Sequence, residues 1–453
     1  MKRLLVVLLT ASMSAVFAEE TPELVDQNAA PEAAVEVTQD ATPQEELPAR
    51  LPLNELRVFA EAFNRISSAY VEEIDDRTLL ENAIRGMLSQ LDPHSAYLDA
   101  DSFTDLQEST TGNYGGLGIE IGMEDGFVRV ISPMDDTPAS KAGIESGDLI
   151  VQLDGTPVKG MNLSEAIEVM RGEPGSDIKI MVVKRGESSP TELTLTREII
   201  KVASVRQRYL EEGYGYLRIA QFQSGTGAEV EKAIIQLKDE GDLEGLVIDL
   251  RNNPGGVLQA AVEVSDVFIS DGLIVYTMGR MNEAELRYSA TGPDATNGVP
   301  IVVLVNEGTA SASEIVAGAL QDHGRAVVMG TNTFGKGSVQ TILPLNNEKA
   351  IKLTTARYYT PNGNSIQAAG IKPDIWVDRS KVTPIDGNPW RVKEKDLSRH
   401  LSNASTEGAS TEEGEAKPEP AERMALATRD YQLNEALTLL KGLNILSKTV
   451  PKG

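Results

Sequence analysis

The 453-residue sequence contains no cysteine. This absence excludes disulfide bonds, a cysteine nucleophile, thiolate-bound zinc and iron–sulfur clusters. Positive charge is scarce as well, because 42 Lys and Arg stand against 68 Asp and Glu and the net charge is -26. Nucleic acids and anionic lipid surfaces both require a basic face, so we expect neither as a partner. The chain must rely on hydrophobic cores for its stability.

Long hydrophobic runs are missing apart from one near the start. Lys2 and Arg3 precede the apolar residues 4–9, and a small-residue cleavage site ends at Ala18. This pattern is typical of a secretory signal peptide, cleaved near Ala18. An uncleaved membrane anchor is the alternative, but the apolar run is short for a membrane span. The sequence therefore predicts export to the periplasm.

Composition and hydrophobic periodicity divide the chain into seven segments. Acidic stretches with few branched apolar residues predict disorder, whereas apolar residues at three- and four-residue spacing predict helices. Short strands between Gly, Asp and Pro turns predict a β-rich module, and alternating strands and helices predict an α/β core. The predicted segments are a signal peptide (1–18), a disordered acidic linker (19–50), an N-terminal helical region (51–111), a β-rich module (112–198), an α/β core (199–402), a second disordered acidic segment (403–423) and a C-terminal helix (424–453).

The two helical ends of the chain are candidates for self-association. Two amphipathic helices are predicted in the N-terminal region, and the final helix places Leu433, Leu437 and Leu440 on one side. Packing of the N-terminal helices onto the main body is the alternative that the sequence leaves open. We expect a homo-oligomer.

The three histidines do not form a catalytic pattern. His94 follows a proline in a turn, His323 ends a predicted helix, and His400 lies near a segment predicted to be disordered. The sequence contains neither a G-x-S-x-G motif nor an H-E-x-x-H motif, so a Ser-His-Asp triad and a zinc protease are not expected. We interpret the histidines as ordinary surface residues.

A run of small residues at 306–314, Asn-Glu-Gly-Thr-Ala-Ser-Ala-Ser-Glu, separates a predicted buried strand from a predicted helix. Ser311 in this run would lie at the helix N-terminus, where free backbone N–H groups favour negative charge. Such groups, that of Ala312 among them, can stabilise the oxyanion of a tetrahedral intermediate. Helix capping by Thr309, Ser311 and Ser313 is the purely structural alternative.

Residues 250–256 end another predicted strand and carry paired glycines. Because glycine permits close approach of the backbone, an N–H here, that of Gly256, can complete an oxyanion hole with that of Ala312. A plain turn is the alternative.

Residues 330–340 have nearly the spacing of a phosphate-binding loop, which makes nucleotide binding the rival hypothesis. The residue after Lys336 is Gly337, which lacks the hydroxyl that magnesium requires, and a strand rather than a helix is predicted to follow. A lysine in an apolar environment can instead act as a base. Lowering its pKa from about 10.4 to about 7–8 costs the charged form roughly 3–5 kcal/mol, which burial can supply. Neutral Lys336 can then take the proton of Ser311, and the amide oxygen of Gln340 can hold the amine.

Together these segments resemble the carboxyl-terminal processing peptidases, also called tail-specific proteases, over roughly residues 55–380. The family pattern N-x-G-[ST]-A-S-A-x-E is matched at 306–314, G-K-G-x-x-Q at 335–340 and R-x-N-x-G-G at 251–256. The resemblance implies a serine nucleophile at Ser311, a lysine base at Lys336 and a supporting glutamine at Gln340. It also implies that no metal or cofactor is needed.

Residues 114–119 look like the carboxylate-binding loop of PDZ domains, in which backbone N–H groups bind a peptide C-terminus. The candidate binding residues are Gly115, Gly116, Leu117, Gly118 and Ile119. A glycine-rich strand entry without binding is the alternative. In the family, an arginine after the PDZ helix links this module to the protease. Arg171 matches that position and is a regulatory candidate, with an ordinary surface arginine as the alternative.

The expected fold class is a multidomain chain of α/β and β type. It combines an N-terminal helical segment, a PDZ-like β module, an α/β protease core of the tail-specific protease type and a C-terminal helix. The expected function is an exported serine endopeptidase that recognises protein or peptide substrates through their C-termini. A PDZ peptide-binding scaffold with a silent protease fold is the alternative. The sequence does not show whether an adaptor protein activates the enzyme.

Overall fold

The computed structural model describes residues 52–449, except for 188, 282–284, 346–347, 384–393, 395–396, 400 and 402–419. The predicted signal peptide, the first acidic linker, nearly all of the second acidic segment and His400 lie outside the described residues. Contacts divide the chain into two units, Met1–Asp75 and Asp76–Gly453. In the first unit, helix α1 (Leu53–Ala69) has no buried side chain. Among the described residues, no helix combines the length and the apolar character that crossing a membrane requires.

The second unit contains the remaining elements. Its N-terminal part comprises α2 (Asp76–Ser89), β1 (Ala96–Leu98) and α3 (Ala100–Thr111). The β-rich part comprises β2 (Asn113–Gly116), β3 (Ile119–Glu124), β4 (Phe127–Pro133), α4 (Pro138–Lys141), β5 (Leu149–Leu153), β6 (Thr156–Pro157), α5 (Leu163–Met170), β7 (Asp177–Val183), β8 (Pro190–Thr196) and β9 (Glu198–Lys201). The core comprises β10 (Val205–Glu211), β11 (Tyr214–Ile219), α6 (Thr226–Glu240), β12 (Gly245–Asp249), α7 (Leu258–Asp266), β13 (Leu273–Gly279), β14 (Arg287–Ser289), β15 (Ile301–Val305), α8 (Ala312–Asp322), β16 (Val327–Gly330), β17 (Ser338–Pro344), β18 (Ala350–Tyr359) and β19 (Ile375–Trp376), followed by α9 (Pro420–Arg429) and α10 (Tyr431–Thr449).

The β-rich module is an antiparallel sheet in the order β3-β4-β5-β7-β8, with β6 beside β5. Alternate residues of these strands face inward, and Val128, Val130, Ile178 and Ile180 are buried in one core. This period of two is what a half-buried sheet requires. A separate β2–β9 ribbon joins the two ends of the module. The predicted short strands are present, and helices α4 and α5 lie between them.

The core contains a sheet in the order β10-β11-β12-β15-β16-β19, parallel except for β10. Strand β15 is buried on both faces: Ile301, Val303 and Val305 join one hydrophobic core, whereas Val302 and Leu304 join another. Burial on both faces explains why its sequence is a continuous apolar run without alternation. The loops after β12 and β15 emerge at the same edge of the sheet, because the two strands are parallel.

A second sheet, in the order β1-β18-β13-β14 with β17 also paired to β18, packs beside the first. Strand β1 pairs with β18, and Leu88 of α2 is buried. The α2 segment therefore packs onto the main body, which was the alternative to a role in assembly.

The C-terminal helix α10 covers the second face of the parallel sheet. Leu433, Leu437 and Leu440 are buried in the core that contains Val302 and Leu304. The prediction that this leucine face mediates self-association is therefore wrong. An amphipathic stripe has the same sequence pattern whether it covers a sheet of its own chain or a partner.

Candidate active site

Ser311 lies at the turn between strand β15 and helix α8, at the carboxyl edge of the parallel sheet. Its backbone has φ 57° and ψ -117°, a conformation that residues with a side chain rarely adopt. Such a conformation costs about 1–3 kcal/mol and persists only where the surroundings impose it. The turn places the side chain of Ser311 in a cavity of about 480 Å³.

Two backbone N–H groups, those of Ala312 and Gly256, line the same cavity. Within the described part of the chain, neither the N–H of Ala312 nor that of Gly256 donates a hydrogen bond to an acceptor. The neighbouring N–H of Gly255 is already bound by the side chain of Asn253 at 2.9 Å. The predicted pair, Ala312 and Gly256, is therefore brought to one wall of the cavity beside Ser311.

Glycine is required at position 255 for this arrangement. A Cβ on Gly255 would lie 2.6 Å from the carbonyl oxygen of Ala310 and 2.7 Å from the Cβ of Ser311. Those distances are too short for any side chain. The loop that carries the candidate oxyanion N–H thus touches the serine turn directly.

Lys336 lines the same cavity from the loop before strand β17. Its amine has no hydrogen-bond or ion-pair partner among the residues that the structure describes. Burial lowers the pKa of Lys336, and the positive charge of Lys352 lowers it further, whereas Asp92 and Glu314 act in the opposite direction. The environment thus favours the neutral amine relative to an exposed lysine.

Gln340 also lines the cavity, but its predicted contact with Lys336 is absent from this structure. The Gln340 amide donates to the hydroxyls of Ser338 at 2.9 Å and Thr354 at 3.4 Å. The strand register shifts between Val339 and Gln340, which changes the direction in which the side chain leaves the strand. Strand β17 follows the lysine directly, so the nucleotide-binding alternative lacks the helix that a phosphate-binding loop requires.

Sequence reasoning did not identify Tyr358, which is buried next to both candidate catalytic residues. Its hydroxyl donates to the backbone carbonyl of Lys336, and its ring lines the same cavity as the side chain of Ser311. Burial raises the pKa of Tyr358 far above neutrality, so the phenol stays protonated. The Tyr358 hydroxyl therefore links strand β18 to the backbone of the candidate base.

His94 also lies nearer to the cavity than the sequence suggested. The carboxylate of Asp92 accepts hydrogen bonds from the backbone of His94 at 2.8 Å and from the Thr354 hydroxyl at 3.1 Å. The His94 side chain is partly buried, and its pKa is lowered by burial and then by the charge of Lys336. Its interpretation as an ordinary surface group is wrong. His323, by contrast, is exposed and bonds the carbonyl of Leu273.

A second cavity, of about 230 Å³, lies in the β-rich module. The residues that line it are Tyr114, Gly116, Leu117, Gly118, Ile119, Ile121, Ile167, Met170 and Arg171. The N–H groups of Leu117 and Gly118 have no acceptor within the described ranges, as a carboxylate-binding loop requires. Gly115 does not line the cavity, because its Cα packs against the carbonyl oxygen of Gly172, which a Cβ would meet at 2.0 Å.

Arg171 connects this groove to helix α3. Its guanidinium lies 3.1 Å from the carboxylate of Glu108 and 3.8 Å from that of Asp105, and it stacks on the ring of Tyr114. Helix α3 in turn contributes Leu106 to the wall of the Ser311 cavity. Arg171 is therefore more than a solvated surface group, although it contacts α3 and not the cavity itself.

Comparison with known proteins adds an independent observation. Residues 213–377 match the model of peptidase family S41, residues 115–195 that of the PDZ domain, and residues 9–102 that of the activating protease CtpB N-terminal domain. The chain is 46% identical to the carboxy-terminal-processing protease of Bartonella bacilliformis over 391 residues, 86% of this chain and 88% of that protein.

Other relatives are similar over shorter stretches. The carboxyl-terminal-processing protease of Synechocystis sp. is 38% identical, over 66% of this chain and 71% of that one. The carboxy-terminal processing protease CtpB of Bacillus subtilis is 35% identical, over 74% and 69%. A solved structure titled photosystem II D1 C-terminal processing protease is 35% identical, with a TM-score of 0.43, and covers 72% of this chain and 93% of that one. The family models that match the core, the β-rich module and the N-terminal part confirm the predicted fold class.

Proposed function

Since the chain belongs to the carboxy-terminal-processing protease family of serine peptidases, we propose that Ser311 is its nucleophile and that Lys336 is its general base. The observation that carries the proposal is the shared cavity. It is lined by a serine on a strained turn and by a partly buried amine that has no partner among the described residues. Membership in a serine-peptidase family favours this reading over a silent scaffold.

In the proposed acylation step, the Ser311 hydroxyl oxygen attacks the scissile carbonyl of the substrate. Its proton passes to the neutral amine of Lys336, and the N–H groups of Ala312 and Gly256 stabilise the resulting oxyanion. Protonated Lys336 then gives the proton to the leaving amine. In deacylation, Lys336 takes a proton from water, and the resulting hydroxide attacks the acyl carbon of the ester. The bond to the Ser311 oxygen then breaks, that oxygen takes back the proton from Lys336, and the new carboxylate is released.

Ser311 and Lys336 line the same cavity, but no hydrogen bond joins the hydroxyl and the amine in this structure. One of the two side chains must therefore rotate towards the other before this chemistry begins. Catalytic hydrogen bonds often form only in the substrate complex. We therefore propose that substrate binding is coupled to this rotation.

We propose that substrates are recognised through their C-termini in the groove of the β-rich module. The free N–H groups of Leu117 and Gly118 support binding of a terminal carboxylate, and the apolar walls support an apolar last residue. Helix α3 is proposed to transmit occupancy of the groove to the protease, because Arg171 contacts it on one side and Leu106 lines the cavity on the other.

We further propose that the protein is exported to the periplasm, as the pattern of residues 1–18 predicts. The exposed apolar side chains of α1, such as Leu56, Phe59 and Ile66, support self-association through the first unit. Activation by an adaptor protein is compatible with both proposals.

A labelling and cleavage assay tests the catalytic assignment. A fluorophosphonate probe is expected to modify wild type at Ser311, and both Ser311→Ala and Lys336→Ala are expected to lose modification and cleavage of a protein substrate. The exposed lysine variant Lys372→Ala is the matched control and is expected to behave as wild type. Retention of wild-type cleavage at neutral pH by Lys336→Ala would contradict the proposed base.

A further inference from the structure

Glu314, the third residue of helix α8, has a side chain that is completely buried. Each of its carboxylate oxygens accepts two hydrogen bonds. Oε2 accepts from the backbone N–H of Ser311 at 2.8 Å and from that of Lys336 at 2.9 Å. Oε1 accepts from the hydroxyl of Thr333 at 2.5 Å and from the N–H of Gly335 at 2.7 Å. One carboxylate thus binds four donors from two separate segments of the chain.

The two hydrogen bonds of Oε2 join the backbones of Ser311 and Lys336. Ser311 belongs to the turn after β15, whereas Lys336 belongs to the loop before β17, and no strand ladder pairs β15 with β17. A single oxygen atom nevertheless bonds the backbone nitrogens of both residues. The separation between the two backbones is therefore set by that oxygen, and its position is fixed by the first turn of α8.

The bond to Ser311 also acts on the strained turn. The positive φ of Ser311 would relax if its N–H were free to move. A charged acceptor holds that N–H more strongly than a neutral one. Glu314 therefore opposes relaxation of the conformation that presents the serine to the cavity.

We propose that Glu314 is a positioning residue that sets the distance and orientation between Ser311 and Lys336 for proton transfer. The inference rests on the proposed Ser-Lys function. Glu314 does not line the catalytic cavity, so it acts through the two residues that it binds and not on the substrate.

The charge of Glu314 gives the proposal a signature that a purely structural role lacks. The charged groups that act on the Lys336 amine are Lys352, which lowers its pKa, and Asp92 and Glu314, which raise it. His94 faces the same region from the β1 side. Removal of the Glu314 charge therefore lowers the pKa of Lys336 further. The acid limb of the rate profile must then move to lower pH.

The experiment compares wild type with Glu314→Gln and Glu314→Asp by steady-state peptide cleavage and by fluorophosphonate labelling across pH. Glutamine has the same shape as glutamate, but one of its two terminal atoms is an NH2 group that cannot accept hydrogen bonds from the two donors there. The loops then lose their alignment, so we expect kcat to fall about 100-fold with KM nearly unchanged. The acid limb of the pH–rate profile of Glu314→Gln is expected to move to lower pH. Aspartate retains the charge but is too short to reach both loops, so kcat falls while the limb stays at its wild-type pH.

Glu307→Gln is the matched control, because it removes an exposed carboxylate from the same segment and is expected to keep wild-type kinetics. If folded Glu314→Gln retains kcat within about threefold and an unmoved acid limb, the inference is overturned. If circular dichroism shows that Glu314→Gln does not fold, Glu314→Asp decides by the same threefold criterion. Absence of Ser311 labelling in wild type overturns the proposed function as well, whereas active wild type with unaffected Glu314 variants overturns this inference alone.

Discussion

The Ser311 cavity and the link to the PDZ groove are held together by different kinds of interaction. Around Ser311 the loops are joined by fully buried polar side chains, Asn253 and Glu314, whose partners are mostly backbone groups. Between the groove and α3 the contact is an ion pair in which the side chain of Arg171 is 42% exposed and that of Glu108 is 26% exposed. Buried polar groups cost about 1–3 kcal/mol when a partner is lost, whereas exposed ion pairs contribute about 0–1 kcal/mol. The loops around Ser311 are thus joined by buried hydrogen bonds, whereas the proposed link to the groove depends on a partly exposed ion pair.

The largest effect is expected at Asn253, whose amide bonds the carbonyl of Ile219 and the N–H of Gly255, both at 2.9 Å. Asn253→Ala leaves these groups without partners, each costing about 1–3 kcal/mol of unfolding free energy. We expect a large decrease in the melting temperature and loss of about two orders of magnitude in kcat, since one oxyanion donor is displaced. Thermal unfolding and cleavage kinetics measure both. Gln259→Ala, an exposed amide on the following helix, is the control. Equal behaviour of the two variants would refute the assignment.

Tyr358→Phe tests the buried hydroxyl that donates to the backbone of Lys336 and belongs to the wall of the Ser311 cavity. The ring and its packing are retained, so the cost is the hydrogen bond to the Lys336 carbonyl, about 0.5–1.5 kcal/mol. We expect kcat to fall about tenfold with KM unchanged. Tyr359→Phe, on the neighbouring residue of the same strand, serves as the matched control. A Tyr358→Phe enzyme as fast as wild type would show that the hydroxyl has no part in positioning.

Lys352→Gln tests how a neighbouring charge controls the pKa of Lys336. The charge of Lys352 lowers the pKa of Lys336, so its removal raises that pKa. Because the base must be neutral, activity then appears at higher pH, and the acid limb of kcat/KM moves upward. The pH dependence of cleavage measures this shift, with Arg357→Gln on the same strand as the charge-matched control. A limb that moves downward, or by the same amount in both variants, contradicts the account.

Glu108→Gln is expected to have the smallest effect on stability, within about 1 kcal/mol, because the ion pair is partly exposed. The effect belongs instead to regulation. A peptide with an apolar C-terminus should change the cleavage rate of wild type but have less than half of that effect on the variant. Asp101→Asn on the same helix is the control. Full stimulation of the Glu108 variant would exclude this ion pair as the link.

The candidate catalytic residues could be predicted because each of their motifs is a short, continuous stretch of sequence. Ser311, Lys336 and Gly256 were all found from short runs at strand ends, and the structure brings them into one cavity. Tyr358 and His94 were not found, because the pairing of β18 with β17 and β1 places them there over long sequence separations. Local periodicity contains no information on such pairing.

Gln340 and the leucines of α10 show two further limits of the sequence. The register shift next to Gln340 depends on the partner strand, so its hydrogen bonds to Ser338 and Thr354 were not foreseeable from spacing. The leucine stripe of α10 predicted an apolar contact correctly but not its partner, which is the sheet of the same chain.

The central claim is that Lys336 is neutral under working conditions, and an NMR titration of its side chain tests this most directly. Lysine labelled at Cε gives one resonance per residue, and Lys336→Arg assigns the relevant one. The account predicts a pKa for Lys336 clearly below the ordinary value of 10.5, falling further in Glu314→Gln and rising in Lys352→Gln. A Lys336 resonance that titrates with the exposed lysines, unchanged by either substitution, would contradict it.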